Sequence, residues 1–112
     1  MAGRSFMPER FVLVVQLWIH PGQEAAFDMF EREAARLMAR HGGRIDRAIR
    51  IRPAERARDD ASTPYEIHLV SFPDKVAWEA YGADPETLKL RQKRGEIISR
   101  SALMHGREAG PY

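Results

Sequence analysis

The segment EIHLVSFPDKVAWEAYGADPE, Glu66 to Glu86, changes its hydrophobic period at a proline and therefore decides the fold. Up to Phe72 its apolar residues alternate as in a strand, and His68 lies inside that apolar run. The proline and Asp74 then open a helix, with Asp74 as the expected N-cap. Gly82 interrupts this helix before DPE caps another helical stretch, from about Pro85 to Ile98. The pattern predicts a strand followed by a helix that is broken near Gly82.

The flanking segments supply the remaining elements. FVLVVQLWI, Phe11 to Ile19, is short and rich in β-branched residues, which favours a strand. HPGQEAAFDMFEREAARLMARHGG shifts to apolar steps of three and four, which predicts an amphipathic helix ending at the left-handed cap Gly42. Arg44 to Arg52 reads as an edge strand with a charged face, and Arg100 to Glu108 as the last strand. A polar connector runs from Pro53 to Pro64.

The order strand, helix, strand, strand, helix, strand predicts an α+β protein with a ferredoxin-like βαββαβ fold and a four-stranded antiparallel sheet. In this topology the first and third strands are central neighbours, and the helices cover one face of the sheet. The other face would display an apolar patch of a size that monomers seldom expose. Its expected members are Val12, Val14, Trp18, Val70 and Phe72. We therefore expect a homodimer in which two sheets pack face to face.

The chain length and composition limit the domain organisation and the compartment. A chain of 112 residues is too short for two cores, so we expect one domain over residues 11–108, a flexible N-terminal arm over 1–10 and a tail over 109–112. The absence of cysteine excludes disulfides and thiolate chemistry and favours a cytoplasmic location. The longest apolar run is far short of the ~20 residues that a membrane helix needs, so no membrane association is expected.

Nucleic acid and metal are not expected partners. The arginines after Gly43 are diluted by acidic residues, and the second strand lacks the aromatic residues on which an RNA-binding sheet stacks bases. The four histidines show no short ligand spacing such as H-E-x-x-H. The chain also has no phosphate-binding glycine loop and no G-x-S-x-G motif, which disfavours nucleotide enzymes and hydrolases.

His68 is the candidate catalytic residue. By strand alternation it shares a face with Glu66 and would lie across from Gln16 on the neighbouring strand, where a carboxylate or amide could tune its pKa for acid–base work. The alternative is a hydrogen-bonded histidine at the dimer seam.

Three further residues are candidate substrate-binding groups. Trp78 and Tyr81, three residues apart on one helix face, would form a pocket wall for an aromatic ligand, or would be ordinary core. Arg94 would receive a carboxylate or enolate, or would be a solvated surface residue. By this alternation His68 faces the partner sheet and the two aromatic residues face their own sheet, which predicts that they do not form one site.

The chain from Phe11 to Gly106 resembles the small dimeric α+β barrel proteins related to the antibiotic-biosynthesis monooxygenases, and especially their uncharacterised bacterial relatives. The resemblance rests on HPGQEAAFDMFEREAARLMARHGG, on PYEIHLVSFPDKVAWEAYGADPE, on Arg94 and on SRSALMHG. It implies the ferredoxin-like fold and a dimeric barrel. Related members include cofactor-free monooxygenases, muconolactone-type isomerases, haem-dependent enzymes and proteins without known activity, so the fold does not select a reaction.

Two functional hypotheses follow. The first is a cofactor-free monooxygenase or isomerase that acts on a small aromatic or carbonyl-bearing molecule, with His68 as acid or base, Gln16 or Arg94 as polar anchor, and Trp78 and Tyr81 as pocket wall. The second is a non-catalytic ligand-binding or assembly protein whose pocket is filled by its own side chains. A cavity beside His68 or Trp78 would favour the first hypothesis.

Overall fold

The structure, a computed structural model, describes residues 9–59 and 62–112. Most of the expected N-terminal arm and two residues of the connector lie outside the described residues. The elements are β1 (Phe11–Ile19), α1 (Glu24–Ala39), β2 (Arg44–Arg50), α2 (Pro53–Asp59), β3 (Glu66–Phe72), α3 (Lys75–Ala83), α4 (Pro85–Arg91), α5 (Arg94–Ile97) and β4 (Ile98–Gly106).

The four strands form one antiparallel sheet in the order β2-β3-β1-β4. The ferredoxin-like α+β fold, the central pair β1 and β3 and the edge position of β2 are therefore confirmed. Along the central pair, Leu13 lies opposite Val70 and Val15 lies opposite His68. Directly opposed residues of antiparallel strands point to the same side of the sheet, so this register decides which side chains meet the helices.

The register corrects the predicted composition of the two faces. Val70 and Phe72 were expected on the face of the sheet away from the helices. Instead they are only 3% and 1% exposed and pack under the helices with Leu13 and Leu37. Alternation identifies residues that share a face, but where both faces of a strand carry apolar residues it does not identify the covered one. The prediction therefore assigned Val70 and Phe72 of β3 to the wrong face of the sheet.

Helix α1 joins two apolar clusters under the sheet. One contains Leu37 and Met38 near the end of the helix, and the other contains Phe27 and Phe30 near its start. The helix ends at Ala39, and the predicted cap residue Gly42 follows with φ +73°, a left-handed conformation that glycine adopts without strain. The next residue, Gly43, lies so close to the Phe72 ring that a Cβ atom would overlap it.

The second helical region is broken near Gly82, as predicted, but Gly82 itself lies within α3 and the break is at Asp84. Asp74 caps α3 by accepting a hydrogen bond from Ala77 N at 2.8 Å. Asp84 ends α3 and caps α4, where it accepts from Glu86 N at 3.0 Å. The last helical stretch, expected to run to Ile98, is instead divided into α4 and α5.

The remaining differences between the predicted and the observed elements are in short segments. Helix α2 occupies part of the connector from Pro53 to Pro64, where proline at the first position and the helix formers behind it favour a turn of helix despite the lack of apolar periodicity. Strand β2 contains an irregularity between Ile45 and Arg47, and β4 begins at Ile98 rather than at Arg100. Within the described residues, no helix combines the length and the apolarity that crossing a membrane requires.

The face of the sheet away from the helices carries Val12, Val14, Gln16 and Trp18 from β1, because Leu13 and Leu17 between them are buried under the helices. None of the four side chains is fully buried. The guanidinium of Arg100 on β4 lies 4.2 Å from the centre of the Trp18 ring. We call this surface the open face.

Candidate functional site

His68 lies in the middle of β3, is 3% exposed and points toward α1. Its Nε2 lies 2.5 Å from Glu66 Oε2. An ionised carboxylate only accepts hydrogen bonds, so in the neutral ring this contact assigns the proton to Nε2 and leaves the lone pair on Nδ1. Strand β3 brings the pair together because residues two apart on a strand point to the same side.

Glu66 is 5% exposed and is held by Arg50, which is in turn held by Asp28. Arg50 on β2 donates from Nε to Glu66 Oε1 at 2.8 Å and from Nη2 to Asp28 Oδ1 on α1 at 2.8 Å. A buried carboxylate needs such partners, because an unpaired buried charge is costly. The resulting chain from Asp28 through Arg50 and Glu66 fixes the orientation of the His68 ring.

Glu31 on α1 approaches the other nitrogen of His68. Its Oε2 lies 3.8 Å from His68 Nδ1, and its side chain is 16% exposed. Burial raises the pKa of the Glu31 carboxyl above its ordinary value; His68 opposes the rise, Glu66 adds to it and Arg94 opposes it. The imidazole therefore lies between two carboxyl groups, of which only Glu66 is within hydrogen-bond distance.

A cavity of about 130 Å³ lies between the sheet and the helices and joins most of the candidate residues. His68, Trp78, Tyr81 and Arg94 all line it, and Glu31 lines it beside His68. The prediction that His68 and the two aromatic residues face opposite sides of the sheet was wrong. The pairing of His68 with Val15, a residue of the helix-covered face, is the reason.

Gln16 is the one candidate that the fold separates from the others. It pairs with Ile67 on β3 and with Ala102 on β4, one position away from the pair formed by Val15 and His68. A shift of one residue along a strand reverses the side on which a side chain lies. Gln16 therefore belongs to the open face and does not contact His68.

The aromatic wall of the cavity is continuous with the core. The ring of Trp78 lies 5.2 Å from that of Phe11, and the ring of Tyr81 lies 5.4 Å from that of Phe72. Burial raises the pKa of the Tyr81 hydroxyl, while the nearby Arg91 opposes the rise. The wall thus combines apolar ring surface with one hydroxyl that stays protonated at neutral pH.

Arg94 and Thr87 supply polar groups from the broken helix. Arg94 Nη2 donates to Ser101 Oγ on β4 at 2.7 Å, which places its guanidinium along the cavity. Thr87 is 1% exposed, and its Oγ1 has no hydrogen-bond partner within the part of the chain that the structure describes.

Two polar residues that line the cavity, Glu31 and Thr87, were not predicted from the sequence. Glu31 directly follows Phe30, at the border between the apolar stripe and the polar side of α1, and this position is its only sequence signal. Thr87 directly follows the sequence DPE and carries no comparable signal.

The other three histidines contact groups outside the cavity. His41 Nε2 lies 2.9 Å from Asp84 Oδ2, His20 Nε2 lies 3.0 Å from Gly95 O, and the His105 ring stacks on Phe11 at 4.2 Å between centres. Across residues 9–59 and 62–112, no group of three or more histidine or carboxylate side chains is placed to hold a metal ion.

No protein-family model and no curated protein matches this chain. Solved structures do match it. An antibiotic biosynthesis monooxygenase described as putative, from Nitrosomonas europaea, superimposes with a TM-score of 0.68 at 15% identity, covering 96% of this chain and 98% of that one. A protein of unknown function from Rhodopseudomonas palustris gives 0.73 at 14% identity, covering 92% and 85%.

SnoaB, a cofactor-independent oxygenase from Streptomyces nogalater, gives a TM-score of 0.62 at 20% identity, covering 94% of this chain and all of that one. At such low identities these likenesses show the fold alone. The chain has the ferredoxin-like α+β fold of these proteins, along almost its whole length.

Proposed function

We propose that this chain, which shares the fold of antibiotic-biosynthesis-monooxygenase-like proteins, is an enzyme that removes a proton from a small aromatic or carbonyl-bearing molecule. The observation that carries the proposal is the buried His68, whose Nε2 is held by Glu66 at 2.5 Å while the ring lines an otherwise largely apolar cavity. A histidine held in one tautomer by a carboxylate is the usual arrangement for a general base.

The other lining residues fit the same reaction. Nδ1 of His68 would take a proton from an O–H group or from a carbon next to a carbonyl, and the anion left on the ligand would be stabilised by the guanidinium of Arg94. Trp78 and Tyr81 would hold the ligand ring. Isomerisation returns the proton to another carbon, whereas cofactor-free oxygenation lets the carbanion react with O2. Both reactions begin with the same deprotonation.

The likeness to SnoaB, a cofactor-independent oxygenase, supports testing cofactor-free oxygenation first. The cavity volume limits the substrate. Ligand sites for drug-sized molecules measure about 300–1,000 Å³, whereas an apolar cavity of about 150 Å³ accepts benzene. A free volume of about 130 Å³ therefore suits a ligand of one ring.

The same small volume supports the alternative, a non-catalytic binding or assembly protein whose pocket is filled by its own side chains. In that case the bond of Arg94 to Ser101 would be structural rather than a position awaiting a ligand. The two hypotheses differ in whether a proton leaves a bound molecule.

The proposed deprotonation is tested by hydrogen–deuterium exchange in small molecules that contain one ring. Phenols and cyclic monoketones are incubated with the protein in D2O, NMR follows exchange of carbon-bound hydrogen, and an electrode follows dissolved O2. We expect exchange with at least one probe and a loss of about 100-fold or more in His68→Gln, because general bases contribute about 10²–10⁴-fold. Oxygen uptake with exchange indicates an oxygenase, and exchange alone an isomerase.

His105→Gln is the matched control, since His105 lies on the same side of the sheet and is stacked on Phe11. It should retain full exchange. Exchange that is absent for every probe, or equal in wild type and His68→Gln, would support the self-filled pocket instead.

We propose further that two copies pair through the open face. Val12 and Val14 of β1 lie on this face, and Met104 of β4, which pairs with Val14, is 52% exposed. Apolar area of this kind is usually covered by a partner. Light scattering at micromolar concentration should give twice the monomer mass, and a monomer mass would contradict the pairing.

A further inference from the structure

His68 and Glu31 line two separate spaces. One is the inner cavity, and the other is a surface groove of about 380 Å³ between α1 and β2. The groove is also lined by Ala35 from α1 and by Ala48 from β2, the residue that pairs with His68. The imidazole and the Glu31 carboxyl thus form a partition between the inner cavity and this outer groove.

The two groups of the partition differ in their access to water. His68 is 3% exposed, whereas the side chain of Glu31 is 16% exposed. The 3.8 Å between Nδ1 and Oε2 is too long for a hydrogen bond, yet one bridging water or a small rotation of the Glu31 side chain would connect them. Glu31 is therefore a carboxyl that lies beside Nδ1 and also lines the outer groove.

The charges around Glu31 suit a group that gains and loses a proton. Residues on the neighbouring elements that face it or share its two spaces are Asp28 and Arg32 on α1, Arg50 on β2, Glu66 and His68 on β3, Tyr81 on α3, Arg91 on α4 and Arg94 on α5. These groups include cations and anions whose effects on the Glu31 pKa oppose one another, since His68 and Arg94 lower it and Glu66 raises it. Burial, which raises the pKa of Glu31, brings the two forms closer in free energy at neutral pH.

We propose that Glu31 is a proton relay that connects His68 with the solvent of the outer groove. The proton that Nδ1 takes from a ligand passes from the imidazolium to the Glu31 carboxylate, the resulting carboxylic acid releases it to groove water, and both groups return to their starting forms. The use of the relay in turnover depends on the function proposed above, but its existence does not.

The relay is tested without any ligand. In 15N-histidine-labelled protein, the Nε2–H of His68 exchanges with solvent after Nδ1 is protonated, so its exchange rate reports delivery of protons to Nδ1. We expect Glu31→Gln to slow this exchange about tenfold or more, because the carboxyl beside Nδ1 is removed. Glu31→Asp, which keeps a carboxyl, should recover part of the rate.

A second variant closes the groove and leaves Glu31 in place. Ala48→Leu adds bulk in the outer groove, and Ala48 does not line the inner cavity. It should also slow exchange. Glu33→Gln is the matched control, because this glutamate lies on the same helix with a side chain 44% exposed and pairs with Arg36 at the surface. Its exchange should equal that of the wild type.

Unchanged exchange in Glu31→Gln and Ala48→Leu would overturn the relay, and so would equal slowing in Glu33→Gln. These outcomes are independent of the ligand test. A protein that shows the relay but deuterates no probe retains the relay without the proposed enzyme, and a protein that deuterates probes with unchanged ring exchange retains the enzyme without the relay.

Discussion

The two faces of the central sheet differ in what they do with polar groups. Both carry apolar residues of β1, but the helix-covered face also buries Glu66 and His68 at 5% and 3% exposure, whereas the open face places Arg100 over Trp18 at the surface. Burying charged groups costs free energy that a purely structural core avoids. This difference is what the proposed functions predict, with the reactive groups on the covered face and the contact between copies on the open face.

The largest expected effect on stability comes from replacing two neighbouring residues of β1 that lie on opposite faces of the sheet. Leu13 is 2% exposed under the helices, so Leu13→Ala should lower the free energy of unfolding by about 2–5 kcal/mol. Val14 lies on the open face, and Val14→Ala should cost less than about 1 kcal/mol in the monomer. Urea unfolding at several protein concentrations measures both.

Equal losses that do not depend on concentration would contradict the difference between the faces. A loss in Val14→Ala that grows with protein concentration would instead assign the open face to the contact between copies.

A smaller change concerns the unpaired hydroxyl beside the cavity. Thr87→Val keeps the shape of the side chain and removes a buried Oγ1 that has no partner among the described residues. Since an unsatisfied buried polar group costs about 1–3 kcal/mol, the variant should be more stable than wild type by about 1 kcal/mol in thermal or urea unfolding. A destabilised variant would show that the hydroxyl is satisfied in solution and that the covered face has no vacant polar position.

The pH dependence of stability tests the Glu31 environment. A carboxyl with a raised pKa binds its proton more tightly in the folded chain, so its contribution to stability is full below its ordinary pKa and is lost as the pH rises through the folded pKa. Glutamine has no such loss. Glu31→Gln should therefore match wild type most closely at acid pH and gain in relative melting temperature toward neutral pH. A relative gain in the opposite direction would mean that burial does not dominate at this residue.

Local chemistry made much of the fold predictable. Asp74, Gly42 and the break after α3 follow from capping and turn preferences that act over a few residues, and the order of elements limits the topology to one common arrangement. The orientation of β3 was not predictable in this way. Both sets of alternating residues on that strand include apolar members, so the cover supplied by α1 decides between them.

The same limit explains what was missed at the site. A single irregularity in β2 places Ile45 opposite Val70 but Ile49 opposite Ile67, which no alternation pattern anticipates. The approach of Glu31 to His68 depends on how α1 is rotated over the sheet, and that rotation is set by the packing of Phe27 and Phe30. His68, Trp78, Tyr81 and Arg94 were identified by residue type, and their convergence required the tertiary structure.

The smallest expected effect is on the open face. Arg100→Gln removes the guanidinium that lies 4.2 Å from the centre of the Trp18 ring, and an exposed cation–π contact contributes about 0.5–1 kcal/mol. The free energy of unfolding should fall by no more than that amount, while Trp18 fluorescence shifts because its cover is lost. Arg47→Gln is the control, since Arg47 is an exposed residue of β2 paired with Leu69. A loss of several kcal/mol in Arg100→Gln would make the open face as tightly built as the covered one, because only a desolvated contact reaches that size.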